Sequence, residues 1–406
     1  MTLNSDFVNV GVDNIYLDAS ATTPPTIDVI NRVREIQFSA WGNPSSLHSQ
    51  GLLAAEVMER SRQSIAMILH AQSNELVFTS GATESIHLAL LGLAMSRPAK
   101  RLVISSVEHP AVNAVANKLN LMGWEVIRWP VNEHGLVRLD LMDQMLSSPT
   151  DIVSVIWGQS EIGTIQPIFE IGSRCREKSI LFHTDATQVL SQGYIKWSDL
   201  PVDLLSASAH KFQGPRGIGL LCIRENLLSK ISSLLGGGGQ ENGLRSGTES
   251  VALIAGMEVA LKQLDVNPIL NGYSDNSTNN KFLKIVELRD CLRNNLSSLN
   301  GIYFTGDPID RLPHHISMLI ASKTGQPLSG RAIVRELSRH GISASSGSAC
   351  RSSHNSNSDV LEAIGISTPW LQSGLRFSLG PWLTSDQIDL VPEKLSRARE
   401  AVVASL

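Results

Sequence analysis

The chain predicts an α/β protein in which a large domain, built on a mainly parallel seven-stranded sheet, precedes a smaller C-terminal α+β domain. Three observations carry that prediction. From about residue 15 to residue 223 short apolar runs alternate with amphipathic stretches, and after about Ala260 the runs become fewer and more amphipathic. The length, 406 residues, also exceeds what one small core organises. The expected boundaries are 15–260 for the large domain, with 1–14 and 261–406 forming the small one.

The stretch from Asn43 to Leu69 reads as a helix that starts at Pro44 with capping serines and continues with apolar residues at helical spacing. ELVFTS (75–80) is the first strand of the sheet, and TSGATES (79–85) closes it and opens a helix. RLVISS (101–106), WEVIRWPV (124–131), DIVSVIW (151–157), ILFHTD (180–185), VDLLSAS (202–208) and GIGLLCI (217–223) follow. Strands this short, spaced by helical patterns, make βαβ units with helices on both faces of the sheet. Four consecutive glycines, Gly236–Gly239, suit a mobile or close-packed turn. The polar segment 265–281 reads as a surface loop or insertion. Beyond it HHISMLIA (314–321) is a strand, LSGRAIVRELSRHG (328–341) a helix and LRFSLG (375–380) a strand.

Composition excludes several classes. A net charge of −4 offers no broad basic field for nucleic acid. No apolar run approaches the ~18 to 20 residues of a membrane span, and the first fourteen residues lack the basic and apolar regions of a secretion signal, so the chain reads as cytoplasmic. The four cysteines lie far apart without a CxxC pair, which indicates neither a zinc site nor a disulfide framework. Cys175, Cys222 and Cys291 fall in helical or strand-like patterns and read as packing residues. Cys350 sits in SSGSACRSSHNS (345–356), where a thiol buries little and serves better as a reagent.

Asp185 ends one strand run and Lys211 follows the next, at the edge where open α/β sheets bind ligands. A carboxylate and a lysine at neighbouring strand ends suit pyridoxal phosphate, whose aldehyde bonds to the lysine while the carboxylate keeps the ring nitrogen protonated. Gly81, Ala82 and Thr83, between a strand and a helix, present backbone N–H groups and a hydroxyl to a phosphate. Ser208 and His210 flank Lys211 as further donors. His109 follows the strand run 101–106, where an imidazole can stack on the ring and shuttle protons.

Ten segments then occur in order: YLDASATTP, WGNPSS, ELVFTSGATES, VEHPAV, SEIGTIQPI, FHTDATQ, SAHKFQGPRGIG, GGGGQENGLRSGTES, SSGSACRSS and LRFSLG. Together they resemble the pyridoxal phosphate-dependent cysteine desulfurases of the NifS and IscS type, in the class V branch of the fold type I aminotransferases. The cysteine loop, about 343–358, resembles the longer loop of the first desulfurase subgroup. The resemblance implies conversion of L-cysteine to L-alanine in a homodimer, with Cys350 as nucleophile and the persulfide passed to an acceptor protein. It implies Lys211 as cofactor anchor, Asp185 at the ring nitrogen, His109 over the ring and Gln188 at the ring hydroxyl. Ala82, Thr83, Ser208 and His210 would hold the phosphate with Thr248 of the partner subunit, and Asn43 and Arg376 the substrate carboxylate. Iron–sulfur assembly, tRNA thiolation and DNA phosphorothioation all stay open as destinations of the sulfur. Selenocysteine lysis and direct C–S lysis are the alternatives on this fold, and direct lysis needs no protein thiol.

Two departures stand out. The family pattern has Asn before Glu-Ile-Gly, whereas this chain has Ser160 preceded by Gln159, which shortens the side chain available to the ring hydroxyl. The chain also ends at REAVVASL, without the C-terminal extension by which housekeeping members dock their scaffold, so a different acceptor is expected.

Overall fold

The computed structural model describes residues 14–264, 280–347 and 357–405. Its strands in chain order are β1 (Ile15–Tyr16), β2 (Leu76–Thr79), β3 (Arg101–Ser105), β4 (Glu125–Trp129), β5 (Thr150–Ser154), β6 (Leu181–Asp185), β7 (Leu204–Ser208), β8 (Gly219–Ile223), β9 (Ile302–Phe304), β10 (His315–Ile320), β11 (Ile342–Ser343) and β12 (Gly374–Ser378). Seven of them form one sheet in the order β2-β8-β7-β6-β5-β3-β4. β7, β6, β5, β3 and β4 run parallel, and β8 runs antiparallel to both β7 and β2. The expected mainly parallel sheet is therefore present.

Both faces of this sheet are buried, which is why its strands read as near-continuous apolar runs. Val103, Phe182, Leu205 and Leu220 pack one face against helices carrying Ile65, Ile171 and Met257. Leu102, Ile104, Leu204 and Leu221 pack the other against helices carrying Ile86, Val112 and Leu119. Alternate residues thus serve opposite cores. Val202 to Ser208 contains no charge after Asp203, as a strand enclosed on two sides requires.

The C-terminal region holds an antiparallel sheet, β12-β10-β9, and a short parallel pair, β1-β11. Its core contains Leu292, Ile316, Met318, Ile333, Phe377 and Leu395. Ile15 and Leu17, attached to the large domain by the sequence reading, pack in this core instead. The short β1 gave no periodic signal, since two residues cannot show a period. A parallel bridge from Asp18 to Ser378 continues the connection.

Two further expectations change. The helix expected from Pro44 begins at Ser49 and runs to Leu69, capped by His48, whose Nδ1 accepts from Gly51 N at 3.3 Å. The preceding residues turn instead: Asn43 Oδ1 accepts from Ser45 N, and a Cβ on Gly51 would lie 2.3 Å from Ser46 O, so only glycine admits that close approach. Cys291, read as a packing residue, is exposed on the helix Asn280–Ser297, one position before the buried Leu292. Cys175 and Cys222 are buried as expected, and burial pushes the Cys175 thiol up to about 12. Residues 265–279 of the expected polar loop lie outside the described residues. Among the described residues no helix is long and apolar enough to cross a membrane.

Candidate active site

A cavity of about 690 Å³ opens at the carboxyl ends of β3, β5, β6 and β7. Nine of the predicted site residues line it: Ala82, Thr83, His109, Asp185, Gln188, Ser208, His210, Lys211 and Arg376. Parallel strands aim their carboxyl ends at one edge, so groups far apart in sequence converge there. Asn43 and Thr248 are not among the lining residues and are exposed. Cys350 lies outside the described residues, but Gly347 and Ser358, on either side of the undescribed segment 348–356, both line the cavity.

Asp185 is the last residue of β6 and is buried, with Oδ1 accepting from Thr187 N at 3.0 Å. Two residues earlier, His183 spans three parallel strands: Ser154 Oγ of β5 lies 2.9 Å from its Nδ1 and Ser206 Oγ of β7 2.9 Å from its Nε2. Burial pushes this imidazole down to about 4, so it is a neutral clamp beneath Asp185. Gln188 Nε2 donates to Ser20 O at 2.9 Å while its Oε1, like Thr187 Oγ1, is buried without a partner among the described residues.

His109 caps the helix Pro110–Leu121, with Nδ1 accepting from Ala111 N at 3.1 Å and Pro110 in the first turn. Accepting at Nδ1 places the proton of the neutral ring on Nε2. His210 lies 3.1 Å from Thr22 Oγ1, and burial, with the charges of Lys211 and Arg216, pushes it down to about 4. Lys211 Nζ donates to the carbonyls of Ser20 and Ala21 at 2.7 and 2.8 Å. The loop after β1 therefore holds the lysine.

Gly81, Ala82 and Thr83 begin the helical stretch that follows β2. A Cβ on Gly219 would lie 2.4 Å from Gly81 Cα, so β8 approaches this turn as closely as two backbones allow. A Cβ built on Gly81 would lie 3.6 Å from Ser208 Oγ, which sets that hydroxyl beside the turn. Arg376, on β12, enters from the C-terminal sheet almost wholly buried: Nη2 donates to Asp18 Oδ1 at 2.7 Å and Nη1 to Ser160 O at 2.9 Å, while Nε has no partner among the described residues.

Ser160 lines the cavity, and its carbonyl also accepts from His315 Nε2 at 3.0 Å. Gln159 is committed elsewhere, its Nε2 donating to Val107 O at 3.2 Å and its Oε1 accepting from Ile162 N at 2.9 Å. It does not replace the missing asparagine. The sequence reading singled out neither Glu108 nor Glu161, both buried in the cavity wall, although each lay inside a quoted segment. Their signal was a charged residue beside a strand end in an otherwise apolar stretch.

The residues fit pyridoxal phosphate. Unpartnered buried acceptors at Gln188 and Thr187 wait on one side, a carboxyl group ends β6, a lysine follows β7, and N–H and hydroxyl donors gather between β2 and β7. A smaller apolar ligand would leave those buried oxygens without hydrogen bonds, at a cost of about 1–3 kcal/mol each.

A family model described as aminotransferase class-V matches residues 15–391. A cysteine desulfurase IscS of Dictyoglomus turgidum is 36% identical over 393 residues, covering 95% of this chain and 94% of that one. Among solved structures, a NifS-like protein superposes with a TM-score of 0.82 at 29% identity, covering 97% of this chain and all of the other. A structure described as SspA in complex with cysteine gives 0.77 at 30% identity, covering 91% of this chain and 100% of that one.

Proposed function

Because this chain belongs to the class-V aminotransferase family and stands among its cysteine desulfurases, we propose that it converts L-cysteine to L-alanine with pyridoxal phosphate as cofactor. The sulfur leaves as a persulfide on Cys350 and passes to an acceptor protein. The observation that carries this reading is one cavity that joins Asp185 and Lys211 with Arg376 and with both flanks, Gly347 and Ser358, of the segment that contains Cys350.

Pyridoxal phosphate, when bound, supplies an electron sink for the pair left at the substrate's α-carbon. With the cofactor bound, Asp185 would hold the ring-nitrogen proton, Gln188 Oε1 would accept from the ring hydroxyl, and His109 would face the ring as a proton shuttle. Ala82, Thr83, Ser208 and His210 would donate to the phosphate. A neutral His210 contributes one N–H. Lys211 anchors the cofactor and takes the α-proton. Arg376 offers the planar fork that matches a carboxylate, held in orientation by Asp18 and Ser160 O.

Cys350 as thiolate attacks the substrate sulfur. The S–S bond forms as the C–S bond breaks, the pair goes to carbon and is protonated, and cysteine plus thiol become alanine plus persulfide. In this reading Asn43 joins Arg376 at the substrate carboxylate, and Thr248 acts across a homodimer, reaching the phosphate of the partner subunit. The exposed side chains Phe38, Trp41, Leu47 and Leu52, close in sequence to Asn43, offer an apolar face for that dimer.

Mass spectrometry after L-cysteine treatment tests the reading. One added sulfur is expected on the peptide with Cys350 and none on those with Cys175, Cys222 or Cys291. Cys350→Ser should bind cofactor and substrate, as seen in the visible absorbance, yet yield no persulfide. Undiminished sulfide and alanine from Cys350→Ser would replace desulfuration by direct C–S lysis.

A further inference from the structure

Glu108 has no part in the chemistry described so far, yet it lines the cavity next to His109. It follows β3 by three residues and is 3% exposed. Its Oε1 accepts from Ser105 Oγ at 2.6 Å and from Ile156 N at 2.7 Å, which fixes the carboxyl group between β3 and the chain leaving β5. Its Oε2 is buried with no partner among the described residues. An ionised carboxylate with one oxygen in that position would be an uncompensated buried charge. A carboxylic acid whose proton sits on Oε2 leaves Oε1 free to accept both hydrogen bonds.

The surrounding charges favour the acid. Burial pushes Glu108 up to about 8 against the hydrogen bonds from Ser105 and Ile156, and the nearby Asp185 pushes it further in the same direction. His109 from its own loop, Glu161 from the turn after β5, Lys211 after β7 and Arg376 from β12 share the cavity, and none of them ranks among the main influences on it. When two carboxyl groups share a dry site, one keeps its proton. At this end of the cavity the proton falls to Glu108.

We propose that Glu108 is a positioning residue that works as a neutral acid, leaving Asp185 as the single anion opposite the cofactor's ring nitrogen. The proposal rests on the reading of Asp185 given above. Its physical basis is the sign of the charge change during catalysis. The bound cofactor would supply a protonated ring whose positive charge would fall as it took up the electron pair from the α-carbon. Every additional anion beside the ring favours the charged form and so opposes that change. A neutral Glu108 adds nothing to the charge of Asp185. Its ionisation at alkaline pH adds an anion beside Asp185 and weakens the sink.

Infrared difference spectra and the visible absorbance of the bound cofactor test this together. In the parent holoenzyme, spectra recorded on either side of pH 8 should show a carboxylic-acid C=O band that disappears as the pH rises, and the cofactor absorbance should shift over the same range. Glu108→Gln keeps an acceptor for Ser105 and Ile156 and cannot ionise, so both changes should vanish. Enzyme stripped of cofactor should keep the infrared band, because burial and Asp185 suffice to produce it. Absence of the band in the parent overturns the proposal without use of any variant. A band that persists unchanged in Glu108→Gln assigns the proton to another residue and also overturns it. Should Asp185→Asn leave the cofactor absorbance untouched while the Glu108 band still titrates, the Asp185 reading fails and the protonation of Glu108 stands.

Discussion

The two walls of the cavity handle charge in opposite ways. On the side of β3, β5 and β6, Glu108 in the cavity wall and His183, two residues before Asp185, are buried without counter-charges in hydrogen-bond contact, and burial drives each toward its neutral form. On the wall formed by the loop after β1 and by β12, charge is kept and paired: Arg376 faces Asp18, and Lys211 points its ammonium at two backbone carbonyls. Burial alone does not decide which occurs, since Arg376 is as buried as Glu108. Partners decide it. Where an opposite charge lies in contact, as Asp18 does for Arg376, the ion is compensated; where only neutral donors do, as Ser105 and Ile156 do for Glu108, burial outweighs them.

The largest break in this comparison comes from removing the lysine on the paired wall. In the proposed reaction Lys211→Ala loses the cofactor anchor and the α-proton base together, and general-base removal alone costs about 10²–10⁴ in rate. Alanine production by the purified variant should therefore fall below detection beside the parent. Retention of the parental rate would remove Lys211 from the chemistry.

Arg376→Lys asks whether the fork or only the charge matters. An ammonium keeps the charge near Asp18 but cannot span two acceptors, so one charge-assisted hydrogen bond worth about 1.5–3 kcal/mol should go. The expected result is a KM for L-cysteine raised roughly 10- to 100-fold, equivalent to that energy, with a smaller change in kcat. An unaltered KM would mean that the carboxylate is held elsewhere.

The neutral wall makes its own prediction for stability. Glu108 binds its proton more tightly folded than unfolded, so the folded state is favoured while the unfolded carboxyl group is also protonated. Stability is lost as pH rises from about 4.5 to about 8, by about 1.4 kcal/mol per pH unit, and is flat above that. His183 slopes the other way: its lowered value means stability lost as pH falls from 6.5 to about 4. The two oppose each other below 6.5, so denaturant melts between pH 6.5 and 8 isolate Glu108. Glu108→Gln should remove the decline there. A parallel decline in both proteins would assign it to another group.

Ser160→Asn is the mildest test, aimed at the position where this chain departs from its family. The longer amide reaches further into the cavity while the Ser160 carbonyl remains held by His315 and Arg376. One added hydrogen bond contributes about 0.5–1.5 kcal/mol, visible as a modest gain in cofactor affinity and a small spectral shift. No change in either would show that the ring hydroxyl is already satisfied by Gln188.

The sequence by itself determined the strand order along the chain and the strand-end placement of Asp185, Ser208 and Lys211, because strands buried on both faces leave unbroken apolar runs whose ends are plain to read. The ten family segments added Arg376, which lines the cavity, and pointed to Cys350, which lies outside the described residues. Local periodicity had no hold on features made by distant neighbours. His48 rather than a serine caps the helix from Ser49, Cys291 turns to solvent, and β1 joins the C-terminal core, each settled by what packs against it. Glu108 is the sharpest case. Its residue type was legible beside His109, but its proton is held by burial, with Asp185 adding to it, against the hydrogen bonds from Ser105 and Ile156. Desolvation is a property of the folded volume, so only the tertiary structure could turn that glutamate into an acid.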